Sequence, residues 1–463
     1  SFEMQINISR FGILFIALIW LVPSMSMAQQ LDPILKELIS KGLDKSHRIN
    51  VHDLDTEQAK VDQSLAKAVL LPKVTFNGSF TRLDDDITFD DDTQNLLIAT
   101  QKLLIKEAVG IPFNDPFPGN IPLTEVANLQ DQNILKSSVD LDWVLFSGLE
   151  VTNAIRASKH KEASLNYVGN AEKDKIALKI IETYDKLALV YASKRVLTTS
   201  ENYLNEQEFY VKKAIENGLA TPISRKKIEL AQQQLASKAL EFNHNKTVLI
   251  EVLHQLTGEN RENLTLLHPQ LQSLSTALVS NTEKRNEIRA LEEAEKASLY
   301  KSKMEKSNFI PKLALKGHYE FIEDDLSLLD PKWFIGAGIK WNVFDGFQSH
   351  LKSKKSIIES QKYREQIEEA EEMIALSIIE AQLTYESSLQ NTKIVQKEID
   401  LASATYNMVD KQFKNNLASI NDVLDALTDL EKAHFKLQES FFGQRRSIAN
   451  LLHAKGILTA FYN

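Results

Sequence analysis

The chain contains no cysteine. That single absence excludes disulfides, thiolate metal sites, cysteine nucleophiles and a lipid-modified N-terminal cysteine, and it suits an oxidising compartment. Positive charge is also short: 54 Lys and Arg face 63 Asp and Glu, a formal net charge of −9, which disfavours nucleic acid as a partner. The 10 histidines show no metal-ligand spacing, and neither Gly-x-Ser-x-Gly nor His-Glu-x-x-His occurs. No enzyme, cofactor or resident metal is therefore expected. After residue 28 no apolar run approaches the ~20 residues that a membrane-spanning helix needs. With 43% apolar and 25% charged residues, neither a disordered chain nor a helical membrane protein fits.

The N-terminus carries the one compact apolar run. Arg10 precedes Phe11 to Val22, and Pro23 and Ser26-Met27-Ala28 follow. A short apolar core with small residues at the −3 and −1 positions predicts a secretion signal over 1–28, cleaved after Ala28. Residues 1–3, ahead of Met4, are set aside from fold reasoning. The mature protein is expected to be exported, either free or crossing a membrane as strands.

Beyond Pro72 the pattern switches from helical spacing to period 2. Val74, Phe76, Gly78 and Phe80 alternate with polar residues, and so do Val139, Leu141, Trp143 and Leu145. The same holds for Leu313, Leu315, Gly317, Tyr319 and Phe321, and for Trp333, Ile335, Ala337, Ile339, Trp341 and Val343. Strands of about ten residues with one apolar face fit a transmembrane barrel with lipid outside and a polar lumen. Trp143, Trp333 and Trp341 share the outward parity, as interfacial aromatics do. Four strands cannot close around a lumen, so several chains must share one barrel. Residues 322–332 read as a short loop. Residues 83–135 read as a long one, with Asp84, Asp85, Asp86, Asp90, Asp91 and Asp92 and then a proline-rich stretch from Pro112 to Pro122. The acidic cluster reads as a divalent-cation site or as a solvated loop.

The remaining residues are helical and doubled. Trp143-Val144-Leu145-Phe146-Ser147-Gly148 returns as Trp341-Asn342-Val343-Phe344-Asp345-Gly346, and Asn217-Gly218-Leu219-Ala220 as Asn415-Asn416-Leu417-Ala418, both at an offset of 198 residues. A long proline-free helix separates each pair. The second copy keeps a heptad through Ile374, Ile378, Tyr385, Thr392, Val395, Ile399 and Tyr406, which implies left-handed coiled-coil packing. Some seventy residues at 1.5 Å rise reach about 100 Å. The first repeat covers 29–281, with strands near 73–82 and 136–147 and helices 148–217 and 222–257. The second covers 282–463, with helix 282–308, strands near 312–322 and 333–345, and helices 346–415 and 420–455. Interruptions at 31–49, 258–281 and 456–463 are expected to form a belt around the middle.

This plan resembles the TolC-type outer-membrane efflux proteins over essentially the whole mature chain. The resemblance rests on the paired Leu71-Pro72-Lys73 and Ile310-Pro311-Lys312, the doubled aromatic-Phe-x-Gly motif, Arg285-Asn286-Glu287-Ile288-Arg289-Ala290-Leu291 leading a helix, and Asp422-Val423-Leu424-Asp425 after a helical turn. It implies an α+β membrane protein: a homotrimer whose twelve strands, four per chain, form one β-barrel in outer-membrane lipid, continuous with an α-helical coiled-coil barrel in the periplasm. It also implies a passive export duct docked to a periplasmic adaptor, a membrane fusion protein, and to a proton-driven or ATP-driven inner-membrane transporter.

The same resemblance puts Asp422 and Asp425 at the periplasmic constriction, where threefold symmetry makes each a ring of carboxylates that favours cations. A helix N-terminus that prefers acidic residues is the competing reading. The family's closing network would have a tyrosine where Phe413 stands, an arginine at Ala418, and a threonine and an aspartate at Ile223 and Ser224. A closed tip held by apolar packing of Phe413 and Ile223, or a looser tip, is expected instead. Gly218, Leu219, Ala220, Asn416, Leu417 and Ala418 form the turns, with Gly218 and Asn416 tolerating left-handed backbone; the resemblance makes them adaptor-docking tips. The alternative is a coiled-coil structural protein of the periplasm or surface without a pore, which would need neither outward tryptophans nor acids at a turn.

Overall fold

A computed structural model describes residues 32–271, 282–323 and 331–459. The expected secretion signal lies outside them, as do parts of the 322–332 loop and of the segments at 258–281 and 456–463. No described helix is long and apolar enough to cross a membrane. The elements run α1 Pro33–Lys45, α2 His47–Ala68, β1 Lys73–Arg82, α3 Asp91–Val109, β2 Asn133–Phe146, α4 Glu150–Glu216, α5 Pro222–Thr257, α6 Arg261–Leu266, α7 Asn286–Lys306, β3 Lys312–Glu323, β4 Trp333–Lys340, α8 Gln348–Lys414 and α9 Ile420–Ala454. Two compact units divide the chain, one of 1–56, 164–292 and 364–463, the other of 57–163 and 293–363.

The second unit holds the sheet, an antiparallel meander β1-β2-β3-β4. Residues directly opposite in an antiparallel pair share a face, so the register sorts the side chains. Val74, Leu141, Gly317 and Ile335 lie in one row, and Phe76, Val139, Tyr319 and Trp333 in the next. That face is apolar, and Phe76 and Ile335 stand exposed on it. The rows between carry Thr75, Asp140, His318 and Phe334, or Lys73, Asp142, Lys316 and Gly336. Neither β1 nor β4 has a second neighbour among the described residues.

The doubled motif builds the corner from strand to helix. Gly148 and Leu149 have φ of 64° and 69°, and Gly346 and Phe347 have 67° and 66°. Two successive left-handed residues turn the chain through a path that glycine opens at low cost. A Cβ on Gly148 would stand 2.9 Å from the Ile310 carbonyl oxygen. The residue before each glycine is the helix cap: Ser147 Oγ accepts from Val151 N at 3.3 Å, and Asp345 Oδ2 from Ser349 N at 2.9 Å. These corners correct several bounds. α4 and α8 start at 150 and 348, not 148 and 346, because the left-handed pair precedes them. β4 ends at Lys340 rather than near 345, because the Trp341 indole N–H turns to donate to the Phe309 carbonyl at 3.0 Å. The helix expected over 282–308 is α7, Asn286–Lys306, closed by a 3-10 turn Ser307–Phe309. β2 starts at Asn133 rather than 136, paired there with Arg82. The 83–135 stretch is no plain loop: it holds α3, started by the Asp90 side chain accepting from Thr93 N at 2.8 Å and stopped by left-handed Gly110.

The same unit packs the start of α8 against α7 through small residues. Ser349, Ser353, Ser356 and Ser360 are buried, and Ser353 Oγ meets Ser302 Oγ at 2.7 Å. Side chains this short let helices approach closely, and pairing the hydroxyls removes the penalty of burying them.

The first unit has two apolar cores. One gathers Leu35 and Ile39 of α1, Ile180 and Tyr184 of α4, Leu253 of α5 and Leu452 of α9. Within it Arg445 and Asp185, both nearly fully buried, pair at 2.8 Å. The other packs Leu197, Leu204 and Val211 of α4, spaced by seven, on Ile228 of α5, Tyr406 of α8 and Val423 and Leu427 of α9. Seven-residue spacing is the coiled-coil seam read from the sequence.

Candidate functional site

The second core carries the two helical turns. Gly218 and Asn416 adopt φ of 69° and 61°. Leu219 N reaches Ala214 O at 2.7 Å, and Leu417 N reaches Gln412 O at 2.8 Å, so both turns close in the same way, 198 residues apart. The apolar residue after each left-handed position projects outward: Leu219 is 64% and Leu417 79% exposed. Ala220 and Ala418 are half-buried beside them.

Asp422 and Asp425 follow the second turn, both exposed. Ser419 N donates to Asp422 Oδ2 at 2.8 Å, and Asp422 N donates to Ser419 Oγ at 3.3 Å, a reciprocal capping box. The Ser419 hydroxyl and backbone donors hold the Asp422 carboxyl below the usual range. Helix-capping therefore accounts for Asp422. It does not account for Asp425, which lies a turn further on. The first repeat has Ser224 and Lys227 at the matching positions, and α5 starts without a side-chain cap bond. The acidic pair thus belongs to the second turn alone.

Phe413 is half-buried against the second core, whereas Ile223 stands exposed and outside it. The core that Phe413 packs against does not include Ile223. Ser224 is half-buried, its N bonded to Thr221 O at 2.9 Å. A polar brace stands just behind these residues instead, and the sequence reading missed it. Gln207 of α4, fully buried, donates to Tyr406 OH at 3.2 Å and to Asp410 Oδ1 at 2.8 Å. Lys414 bonds Asp410 at 2.8 Å and Glu206 at 3.0 Å, over the Tyr210 ring at 4.3 Å. Burial works against the Lys414 charge, but the Asp410 and Glu206 hydrogen bonds outweigh it and raise its pKa. Burial pushes the Tyr406 hydroxyl up to about 12. The brace joins α4 to α8 through one lysine, two acidic side chains, an amide and a phenol. Its sole local signal was the i,i+4 pair Asp410–Lys414.

On the sheet, the Trp143 indole donates to the Leu70 carbonyl at 2.9 Å, as Trp341 does to Phe309. Each pins the helix end before a Pro-Lys strand start. Trp333 lies at the other end of the sheet, opposite Tyr319. The polar face pairs its charges. Asp140 accepts from Asn77 at 2.6 Å and meets His318 Nδ1 at 2.6 Å, while Lys316 and Asp142 lie 3.6 Å apart. No group of three or more metal-ligating side chains occurs among the described residues. In the acidic stretch Asp90 is the α3 cap, and Asp86 accepts from Gln132 N at 2.7 Å.

No family model matches the sequence, and no curated protein matches it. Solved structures do match. The outer membrane protein VceC of Vibrio cholerae gives a TM-score of 0.71 over 92% of this chain and 96% of its own, at 15% identity. The CmeC outer membrane channel of Campylobacter jejuni gives 0.68 over 92% and 86%, at 16% identity. The open-state MtrE outer membrane channel of Neisseria gonorrhoeae gives 0.66 over 92% and 89%, at 14% identity. With its four-stranded meander, left-handed corners and doubled helical hairpins, the chain has the fold of the TolC-type outer-membrane channels.

Proposed function

We propose that the chain is one protomer of a homotrimeric outer-membrane export duct. The observation that carries this is the sheet: four strands, apolar on one face and charged on the other, with both edge strands unpaired among the described residues. Unpaired edges on an apolar sheet invite pairing with another chain, and closure into a barrel is what lets strands span lipid. Three copies supply twelve strands, with the paired polar side chains of Asp140, His318, Lys316 and Asp142 lining the lumen. Trp143 and Trp341 mark one membrane interface and Trp333 the other, as aromatic girdles do. The long helices cross the periplasm.

Transport through such a duct is passive, and selection falls at its narrow end. Asp422 and Asp425 form rings of carboxylates that favour cations at the periplasmic mouth. Phe413, Ile223 and Ser224 shape the constriction, and the Lys414 brace holds α4 and α8 together behind it. Gly218, Leu219, Ala220, Asn416, Leu417 and Ala418 meet a periplasmic adaptor, which joins the duct to an inner-membrane transporter. Exposed leucines at both tips are the apolar anchors such a contact needs.

Extraction and planar-bilayer recording test the reading. The mature chain is expected to need detergent, to run as heat-stable trimers and to conduct in planar bilayers. A monomer that stays soluble without detergent and never conducts would leave the coiled-coil scaffold as the better account.

A further inference from the structure

The helix α3 has no counterpart in the sequence reading, and its outer side is uncovered. Leu96, Leu97, Leu103 and Leu104 are 65%, 40%, 41% and 61% exposed, and no residue of α3 is fully buried. The four leucines form two pairs spaced by seven, the spacing of a helix that packs along another helix. The opposite side, Ile98 and Ile105, is half-buried. The helix is anchored: Leu83 N bonds Gln132 O at 2.7 Å and Ile87 N bonds Gln130 O at 2.8 Å at the base of its loop. A leucine stripe on an anchored helix needs a cover.

We propose that α3 is a lid element whose partner is α3 of a neighbouring copy of this chain, so that three such helices pack on one another across the outer mouth. This rests on the trimeric duct reading. Position argues for it. α2 leads into β1, and β2 leads out into α4, so the β1–β2 connection leaves the sheet at the end away from the helices. β1 is also an edge strand, and α3 therefore rises beside the boundary with the next copy. Charge argues against lipid as the cover. Helices that lie on membranes carry lysine and arginine on the polar side and tryptophan, phenylalanine or leucine on the other, so the basic side decides. Here Lys102 and Lys106 are half-buried, and Lys106 is spent on the Phe113 and Asp115 carbonyls. Six aspartates crowd residues 84–92, which suits an anionic leaflet poorly. Asp90, Asp91 and Asp92 sit at the N-terminal end, where the helix dipole accommodates them, and between Leu96 and Leu104 the one charged residue is the half-buried Lys102.

The cysteine-free sequence makes the test direct. Leu97→Cys and Leu104→Cys, each placed singly in the full chain, are oxidised in trimers reconstituted in lipid. A band at twice the monomer mass, lost on reduction, is expected from at least one of them. Bimane attached at the same positions is then challenged with brominated lipid, and no quenching is expected. Intact trimers that never cross-link would overturn the lid: quenching would place α3 on the membrane, and its absence would leave the helix in water. If the unsubstituted chain forms no trimers, the duct reading itself fails, a result that does not depend on α3.

Discussion

At Asp422 the carboxylate is the capping partner of Ser419, and in the proposed duct it is also a charge beside Asp425. The first role was legible, since Ser419 stands three residues ahead of an acid. Separating the two needed the geometry, because both roles ask for the same residue type. Asparagine separates them in the laboratory, since its amide oxygen still accepts from Ser419 N while the charge is lost. Asp422→Asn with Asp425→Asn is expected to leave trimers intact and to lower the cation-over-anion preference, measured as a reversal potential across a salt gradient; an unchanged potential would remove the rings from the mechanism. The pH dependence has a definite sign. Asp422 titrates lower in the fold than in the unfolded chain, so its support for the start of α9 is complete above the unfolded value near ~4 and is lost as pH falls through the folded value.

Among elements, α4 and α8 meet through the brace of Glu206, Gln207, Tyr406, Asp410 and Lys414. The departure from the family's closing residues at Phe413, Ala418, Ile223 and Ser224 could be read directly. The brace could not, because Gln207 and Asp410 are far apart in sequence and nothing local marks them as partners. Partly exposed ion pairs are worth about 1 kcal/mol, enough to move a two-state tip roughly fivefold. Lys414→Ala is therefore expected to raise the open fraction of single-channel records by about that factor, with Lys414→Arg close to the original. Equal records for all three would confine Lys414 to structure. The strand-to-helix corners show the opposite balance. Ser147-Gly148 and Asp345-Gly346 specify cap and left-handed turn within a few residues, so the doubled motif announced them. What it could not announce was that β4 stops at Lys340, which depends on Trp341 reaching Phe309 in another segment.

For the whole molecule, the single chain leaves a second seam open on α8. Ile394, Leu401 and Met408 are spaced by seven, and Leu401 is 70% exposed. Three copies would cover it. Leu401→Asp is expected to abolish heat-stable trimers in gel electrophoresis, with helical circular dichroism largely retained; unaffected trimers would show that this seam is not between protomers. Periodicity and the 198-residue echo already implied four half-apolar strands and doubled long helices, because these features follow from local backbone preference and from which face a side chain takes. Only the tertiary structure decided that 83–135 holds an anchored leucine-faced helix, that Trp143 and Trp341 pin helix ends, and that a polar brace stands behind the tip. Those features depend on which distant residues meet, and a pattern with a period of two or seven carries no record of its partner.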